Sequence, residues 1–161
     1  MTTDVLLALL NSRPLVGGEE RDALGDPARG ARWAREHGGD GSRAELALLR
    51  RTRDALRDVV RGASPPAVLE PLLEGVHQVP ELTAEGLVWN VRTPPHARLA
   101  VDAVLGWAEA EERFPGRLRP CANDECRLFL LDRSRANRAR WCSMAVCGNR
   151  AKARRHYARS R

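Results

Sequence analysis

Four cysteines constrain this 161-residue chain more than any other feature. All lie in its last quarter, as Cys121-x4-Cys126 and Cys142-x4-Cys147, with fifteen residues between the pairs. Two short pairs joined by a short spacer are what a tetrahedral thiolate site requires. Each pair grips the metal from one chain turn, and the spacer returns the chain. Two disulfides are the alternative. No secretory signal precedes the cysteines and their surroundings are heavily basic, which favours metal. Four thiolates leave no open coordination position, so one zinc ion per chain would be structural and not catalytic.

Charge divides the chain at the same place. From Arg117 to Arg161 there are 13 basic residues against 3 acidic ones; before Arg117 there are 14 against 18. The tail therefore carries +10 and the remainder −4, giving the overall +6. Four thiolates and a zinc dication together subtract only about two charges from the tail. Such a density fits a polyanionic partner. Docking of the tail on its own acidic N-terminal part is the alternative, and the two are compatible. Lys152 is the only lysine in the chain. Arginine suits bidentate phosphate contacts, although a GC-rich coding bias produces the same skew.

The length and a hydrophobic content of 43% allow one ordinary domain and a small module. The division expected is 1–116 and 117–161. Val5 to Leu10 is apolar, but it lacks a basic leader and a cleavage site, so it reads as a helix and not as a signal peptide. No segment is long enough to span a bilayer, and a cytoplasmic protein is expected. Asp26-Pro27 opens a second helix through Trp33 to His37. Ser42-Arg43-Ala44-Glu45 is a capping box that opens the strongest helix, running to about Arg61. Leu46, Leu49, Leu56 and Val60 form its apolar stripe, while Arg50, Arg51, Arg53 and Arg57 load other faces. Ser64-Pro65 opens a further helix that Pro71 should kink or shorten. Gly86 to Val91 is the best strand, half of a small hairpin. Thr93-Pro94 caps a helix through Leu99 to Ala108, which Phe114-Pro115-Gly116 ends.

In the tail, Leu118 to Pro120 is extended, Leu128 to Leu131 is strand-like, and Asp132-Arg133-Ser134 turns the chain. Ser143 is a candidate N-cap for a last helix that holds Cys147 in its first turn. The fold class expected is mainly α: a helical N-terminal domain with a small β-hairpin, then a C-terminal treble-clef-like or ribbon-like zinc finger of hairpin and helix. Forty-five residues cannot bury enough surface to fold unaided, so metal would supply much of the folding free energy.

Arg119-Pro120-Cys121 to Cys126, Phe129, Asp132-Arg133-Ser134, Arg140 to Met144 and Cys147 to Arg154 together closely resemble the CGNR zinc-finger family, named for its Cys-Gly-Asn-Arg tetrad, here Cys147 to Arg150. The upstream region resembles the ABATE domain that usually precedes this finger, with Leu7 to Ser12 similar to its opening apolar-Asn-Thr motif. The resemblance implies a bacterial stress-induced transcription regulator whose finger binds nucleic acid.

On a helical wheel, Cys147, Ala151 and Ala158 share the stripe facing the metal. Arg150, Arg154 and Arg161 flank it on one side, and Lys152, Arg155 and Arg159 on the other. Arg133, Arg135, Arg138 and Arg140 add to one basic surface. Asn149 and Arg150 either reach base edges or serve structure, Asn149 satisfying backbone groups and Arg150 bracing the Asp132 turn. Trp141 and Phe129 either stack on bases or pack over the zinc site; packing is the expectation. His37, His77 and His96 are scattered, His156 is a surface residue, and Glu109, Glu111 and Glu112 read as a solvated helix end. No catalytic grouping and no glycine-rich phosphate loop are present, so no enzyme is expected. The function expected is nucleic-acid binding, DNA ahead of RNA, in transcriptional regulation, with the helical part dimerising or sensing something. An RNA-binding protein and a protein-interaction adaptor are the rivals.

Overall fold

Helices build the body, and three short antiparallel hairpins are set into it. The computed structural model describes residues 2–159. Its helices are α1 (Thr2–Leu10), α2 (Pro27–Glu36), α3 (Arg43–Val60), α4 (Arg98–Arg113) and α5 (Asn149–Arg159). Its strands are β1 (Leu15–Val16), β2 (Glu19–Glu20), β3 (His77–Thr83), β4 (Gly86–Arg92), β5 (Leu118–Pro120) and β6 (Phe129–Leu131). Each strand pairs with its sequence neighbour: β1 with β2, β3 with β4, β5 with β6. The expected class, mainly α with a hairpin-and-helix finger, is what the chain adopts.

Local signals explain the helix starts. Asp26 accepts the Arg29 N–H at 2.9 Å, with Pro27 in the first helical position of α2. Ser42 accepts the Glu45 N–H at 3.1 Å and caps α3. The Glu45 carboxylate reaches past Ser42 and accepts the Gly41 N–H at 2.7 Å. The helix of Pro66–Leu73 is a 3-10 helix, the tighter form that Pro71 permits. Thr93 does not cap α4: a short turn at Pro95–Ala97 leads into it, and no side chain caps its first residue.

α1 lies against α4, and Leu6, Leu9 and Leu10 are fully buried between α4 and α3. The approach is close because residue 106 is glycine: a Cβ there would sit 2.4 Å from the Thr2 carbonyl oxygen. α3 contributes Leu46, Leu49 and Leu56, and α4 contributes Leu99, Ala100 and Ala103. Arg53 and Arg57, expected on outer faces, are buried at 2% and 7% exposure. They follow Leu49 and Leu56 on the inward side of α3, and their charged ends are met by specific partners described below.

Three strands are not placed by sequence reading, for identifiable reasons. β3 contains Pro80, which removes a donor and suits only a strand with a free edge; the two-stranded hairpin provides one. β1 and β2 are two residues each, joined by Gly17 and Gly18, both with positive φ (62° and 85°), as a tight hairpin turn demands.

The finger is not separated from the body. Leu118 and Phe129 belong to the same buried cluster as Leu6, Leu56 and Leu99. Asn11, next after α1, clasps β6: its Nδ2 donates to the Phe129 carbonyl (3.1 Å) and its Oδ1 accepts the Phe129 N–H (2.7 Å). A single amide side chain thus occupies the place of a neighbouring strand.

Candidate metal centre and nucleic-acid face

β5 and β6 pair with Leu118 opposite Leu131 and Pro120 opposite Phe129. Cys121 leaves β5 and its N–H continues the pairing to the Leu128 carbonyl at 2.8 Å. The first cysteine pair therefore sits in the hairpin loop itself. The segment after β6 turns away at Asp132 and returns to deliver Cys142. A π-type turn at Met144–Gly148 then places Cys147 just ahead of α5. Ser143 precedes that turn in extended conformation, without a side-chain cap bond.

All four sulfurs lie within 4.8 Å of one another. The Cys126–Cys142 and Cys142–Cys147 sulfur separations are both 3.7 Å. A zinc–sulfur bond of about 2.3 Å puts the corners of a tetrahedron about 3.8 Å apart, whereas a disulfide requires about 2.0 Å. No disulfide is formed. The surroundings suit thiolates: the Cys142 N–H points at the Cys121 sulfur (3.4 Å) and Asn123 Nδ2 at the Cys147 sulfur (3.5 Å). Burial, then the crowding of neighbouring sulfurs, pushes the Cys142 thiol well above its ordinary range, and burial also raises Cys126. Burial opposes ionisation of Cys147 as well, but the hydrogen bonds from Asn123 and the other thiols hold it below its usual value. Four adjacent sulfurs can all ionise only around a compensating cation. The donor set fits one structural zinc ion, with no position left for substrate.

A buried polar frame holds the returning segment. Asp132, 2% exposed, accepts N–H groups of Ser134 (2.9 Å) and Ala139 (2.8 Å) and pairs with Arg119 at 2.8 Å. Hydrogen bonding from Ser134, opposed by burial and joined by Ala139 and the Arg119 charge, holds its carboxyl at about 2. Arg119 also donates to Asn137 Oδ1 and the Ala139 carbonyl, each at 2.9 Å. Arg119 therefore braces the Asp132 turn, the role expected of Arg150. Arg150 instead stands exposed beside Cys126 and Cys147. Asn149 donates to the Ala145 carbonyl at 3.2 Å, a backbone-satisfying contact.

Phe129 is 2% exposed and packs in the core. Trp141 is half-buried against Gly148, with the Arg140 guanidinium 5.3 Å from its ring centroid. Ala151 is buried, but Ala158, expected on the same stripe, is exposed.

The basic residues separate into groups. Arg138 and Arg140 line one groove with Arg119 and Asn137. Arg133 lies elsewhere, in a pocket with Asp4, Glu109 and Arg113, so the loop arginines do not form a single surface. Arg154 is engaged by Asn123 Oδ1 (2.8 Å) and Glu125 (3.4 Å). Arg135 and Lys152 are exposed. The side chains of Arg155 and Arg159, and the whole of Arg161, lie outside the described residues. Sequence reading missed Asn123, whose amide links a ligand sulfur to Arg154, and Arg119. The only signal was a polar residue between the first two ligands, Asn123, and an arginine two residues before the first, Arg119.

Residues 117–160 match the family model of the CGNR zinc finger. Residues 3–130 match that of ABATE, described as "Putative stress-induced transcription regulator". The chain belongs to the ABATE family. The ABATE and CGNR matches overlap over 117–130, the stretch containing β5 and β6. A search of curated proteins finds no match. Among the described residues, no helix of this ABATE protein is long and apolar enough to cross a membrane.

Proposed function

We propose that this protein is a DNA-binding transcriptional regulator of the cytoplasm, not an enzyme, in which zinc holds the shape of the finger and arginines make the contact. The observation that carries the reading is the charge left uncommitted on the finger. Arg135, Arg138, Arg140, Arg150 and Lys152 are exposed, and none forms an ion pair among the described residues. Buried arginines such as Arg53 are spent on structure; these are not. Phosphate neutralisation by such groups releases counterions, so binding would be electrostatic first and specific second.

The test is affinity against salt for short duplex DNA, structured RNA and an acidic polypeptide. Each phosphate contact adds about 0.9 to the log–log salt slope on B-DNA. Substituting Arg138, Arg140 and Arg150 together with alanine is expected to flatten that slope by about two to three and weaken binding to all sequences alike. Equal duplex binding by wild type and variant at low salt would refute the reading. Preference for RNA, or binding to the acidic polypeptide alone, would put the RNA-binding or adaptor rival in its place.

A second observation favours a homodimer. In the β3–β4 register, Pro80 faces Trp89 and Leu82 faces Leu87, on the side that also carries Gln78 and Val91. Trp89 is 60% and Leu82 83% exposed. An isolated hairpin is marginal in water, and its alternation prepares one face for burial. That face carries no charge, so a second copy of this basic chain can cover it without repulsion at the contact. Light scattering of wild type and Trp89→Ser decides the matter: a dimer that the variant loses supports it, and a wild-type monomer refutes it.

A further inference from the structure

Beside the finger, α3 presents a pocket of about 330 Å³ lined by Arg13, Asp54, Arg57, Asp58, Arg61 and Arg127. Arg57 is 7% exposed, yet no carboxylate comes within ion-pair distance of it among the described residues. Its Nη1 donates to the Leu10 carbonyl (3.0 Å) and its Nη2 to the Arg127 carbonyl (3.1 Å). Its guanidinium carbon lies 5.1 Å from the centroid of Phe129, and that of Arg61 lies 4.8 Å from the same ring. Buried arginines are ordinarily paired with an anion. This one has neutral partners and a second cation as neighbour. Burial first, then Arg61, Arg53 and Arg13, lowers its pKa to about 10. Only two of its five N–H groups are accounted for by those carbonyls.

The other charges leave a deficit. Arg13 and Arg127 both pair with Glu20. Asp54 and Asp58 share the lining but are exposed, and Asp54 also meets Arg53 at 3.4 Å. The geometry points to a binding site here for a small phosphate-class oxyanion, seated against Arg57 and Arg61. Guanidinium groups converging from separate positions suit a tetrahedral anion with several acceptor oxygens better than a single carboxylate. The volume is that of a small-ligand site. Such a ligand would touch the group that ties α1, through Leu10, to Arg127, the residue after Cys126. It would therefore sit at the joint between body and finger, apart from the arginines assigned above to nucleic acid.

The experiment uses the full, zinc-loaded chain. Inorganic phosphate is titrated at constant ionic strength, with heat of binding and thermal unfolding as readouts. Wild type is expected to show a saturable heat and a rising Tm. Arg61→Ala, an exposed change that leaves the Arg57 contacts in place, is expected to weaken binding at least tenfold. Asp58→Asn is expected to tighten it, and Arg150→Ala to leave it unchanged. No saturable response in wild type overturns the site, as does an equal response in Arg61→Ala. Loss of the response in Arg150→Ala assigns the phosphate to the finger face and overturns it too. If Arg61→Ala lowers duplex affinity while free phosphate never binds, the pocket is a backbone contact and the small-anion assignment fails.

Discussion

At Arg53 a charge is taken almost completely out of water, and the chain compensates it in full. Its Nη1 and Nη2 meet the two Asp22 oxygens at 2.6 and 2.9 Å, and Nη1 also donates to Ser12 at 3.0 Å. Ser12 in turn donates to the Leu9 carbonyl at 2.8 Å. This network ties α3 to the end of α1. Removing one partner leaves the other charge stranded, which costs more than the pair itself contributes. Asp22→Asn is expected to lose about 2–3 kcal/mol in urea unfolding at pH 7. Burial resists ionisation of Asp22, but the bonds from Arg53 and the Leu24 N–H outweigh it and hold the carboxyl below 3.8. A depressed carboxylate stabilises above its unfolded pKa and stops doing so as pH falls through its folded one. The gap between wild type and Asp22→Asn should therefore close below pH 3.8; a constant gap down to pH 2 would show that charge is not its origin. Arg57 and Arg53 illustrate why such residues are hard to read from sequence. Both look like surface arginines on an amphipathic helix until the acid or carbonyl that meets them, tens of residues away, is known.

Among elements, the close crossing of α1 on α4 rests on one atom's absence. Alanine is favoured over glycine by about 1 kcal/mol within a helix. At residue 106 that gain is outweighed, because the new Cβ would meet the Thr2 carbonyl oxygen at 2.4 Å and the Thr2 carbonyl carbon at 2.6 Å. Backbone cannot swing aside as a side chain can. Overpacking of this kind costs about 1–3 kcal/mol. Gly106→Ala is expected to lower Tm by several degrees in thermal unfolding; an unchanged or raised Tm would mean that α1 is free to shift. Glycine 106 gave no hint of this role in sequence, since a lone glycine in a helical pattern reads only as a weak position. What was legible at this scale were the starts of α2 and α3, because Asp26 and Ser42 act on N–H groups three residues away. β3 was legible only as the unplaced partner of β4, and the Pro66–Leu73 helix as one that Pro71 kinks or shortens but not as a 3-10 helix, because prolines at 80 and 71 are tolerated only in the particular geometries those segments adopt.

For the molecule as a whole, the zinc site was legible because ligand spacing is local, while the way the finger joins the body was not. Leu118 and Phe129 read as finger residues by position, yet both are buried with Leu6 and Leu56. Asn11 holds Phe129 by two hydrogen bonds, and the Arg57 side chain reaches Leu10 on one side and Arg127 on the other. β5 and β6 thus have two sources of support, the metal at the loop and the core at the strands. The cysteine loop, the Met144–Gly148 turn and α5 have chiefly the metal: Cys147, Gly148 and Ala151 are the buried positions from Cys142 onward among those described. Metal removal should therefore divide the finger rather than release it whole from Leu118 onward. In hydrogen exchange after chelation, or in Cys147→Ser, protection is expected to vanish from Cys121–Cys126 and from Cys142 onward. The Phe129 and Leu130 amides should stay protected, because Asn11 holds the first, β5 pairs with the second, and the core remains. If those amides exchange as fast as Cys147, the strands depend on zinc after all. If protection falls along α1 and α3 as well, body and finger unfold as one unit.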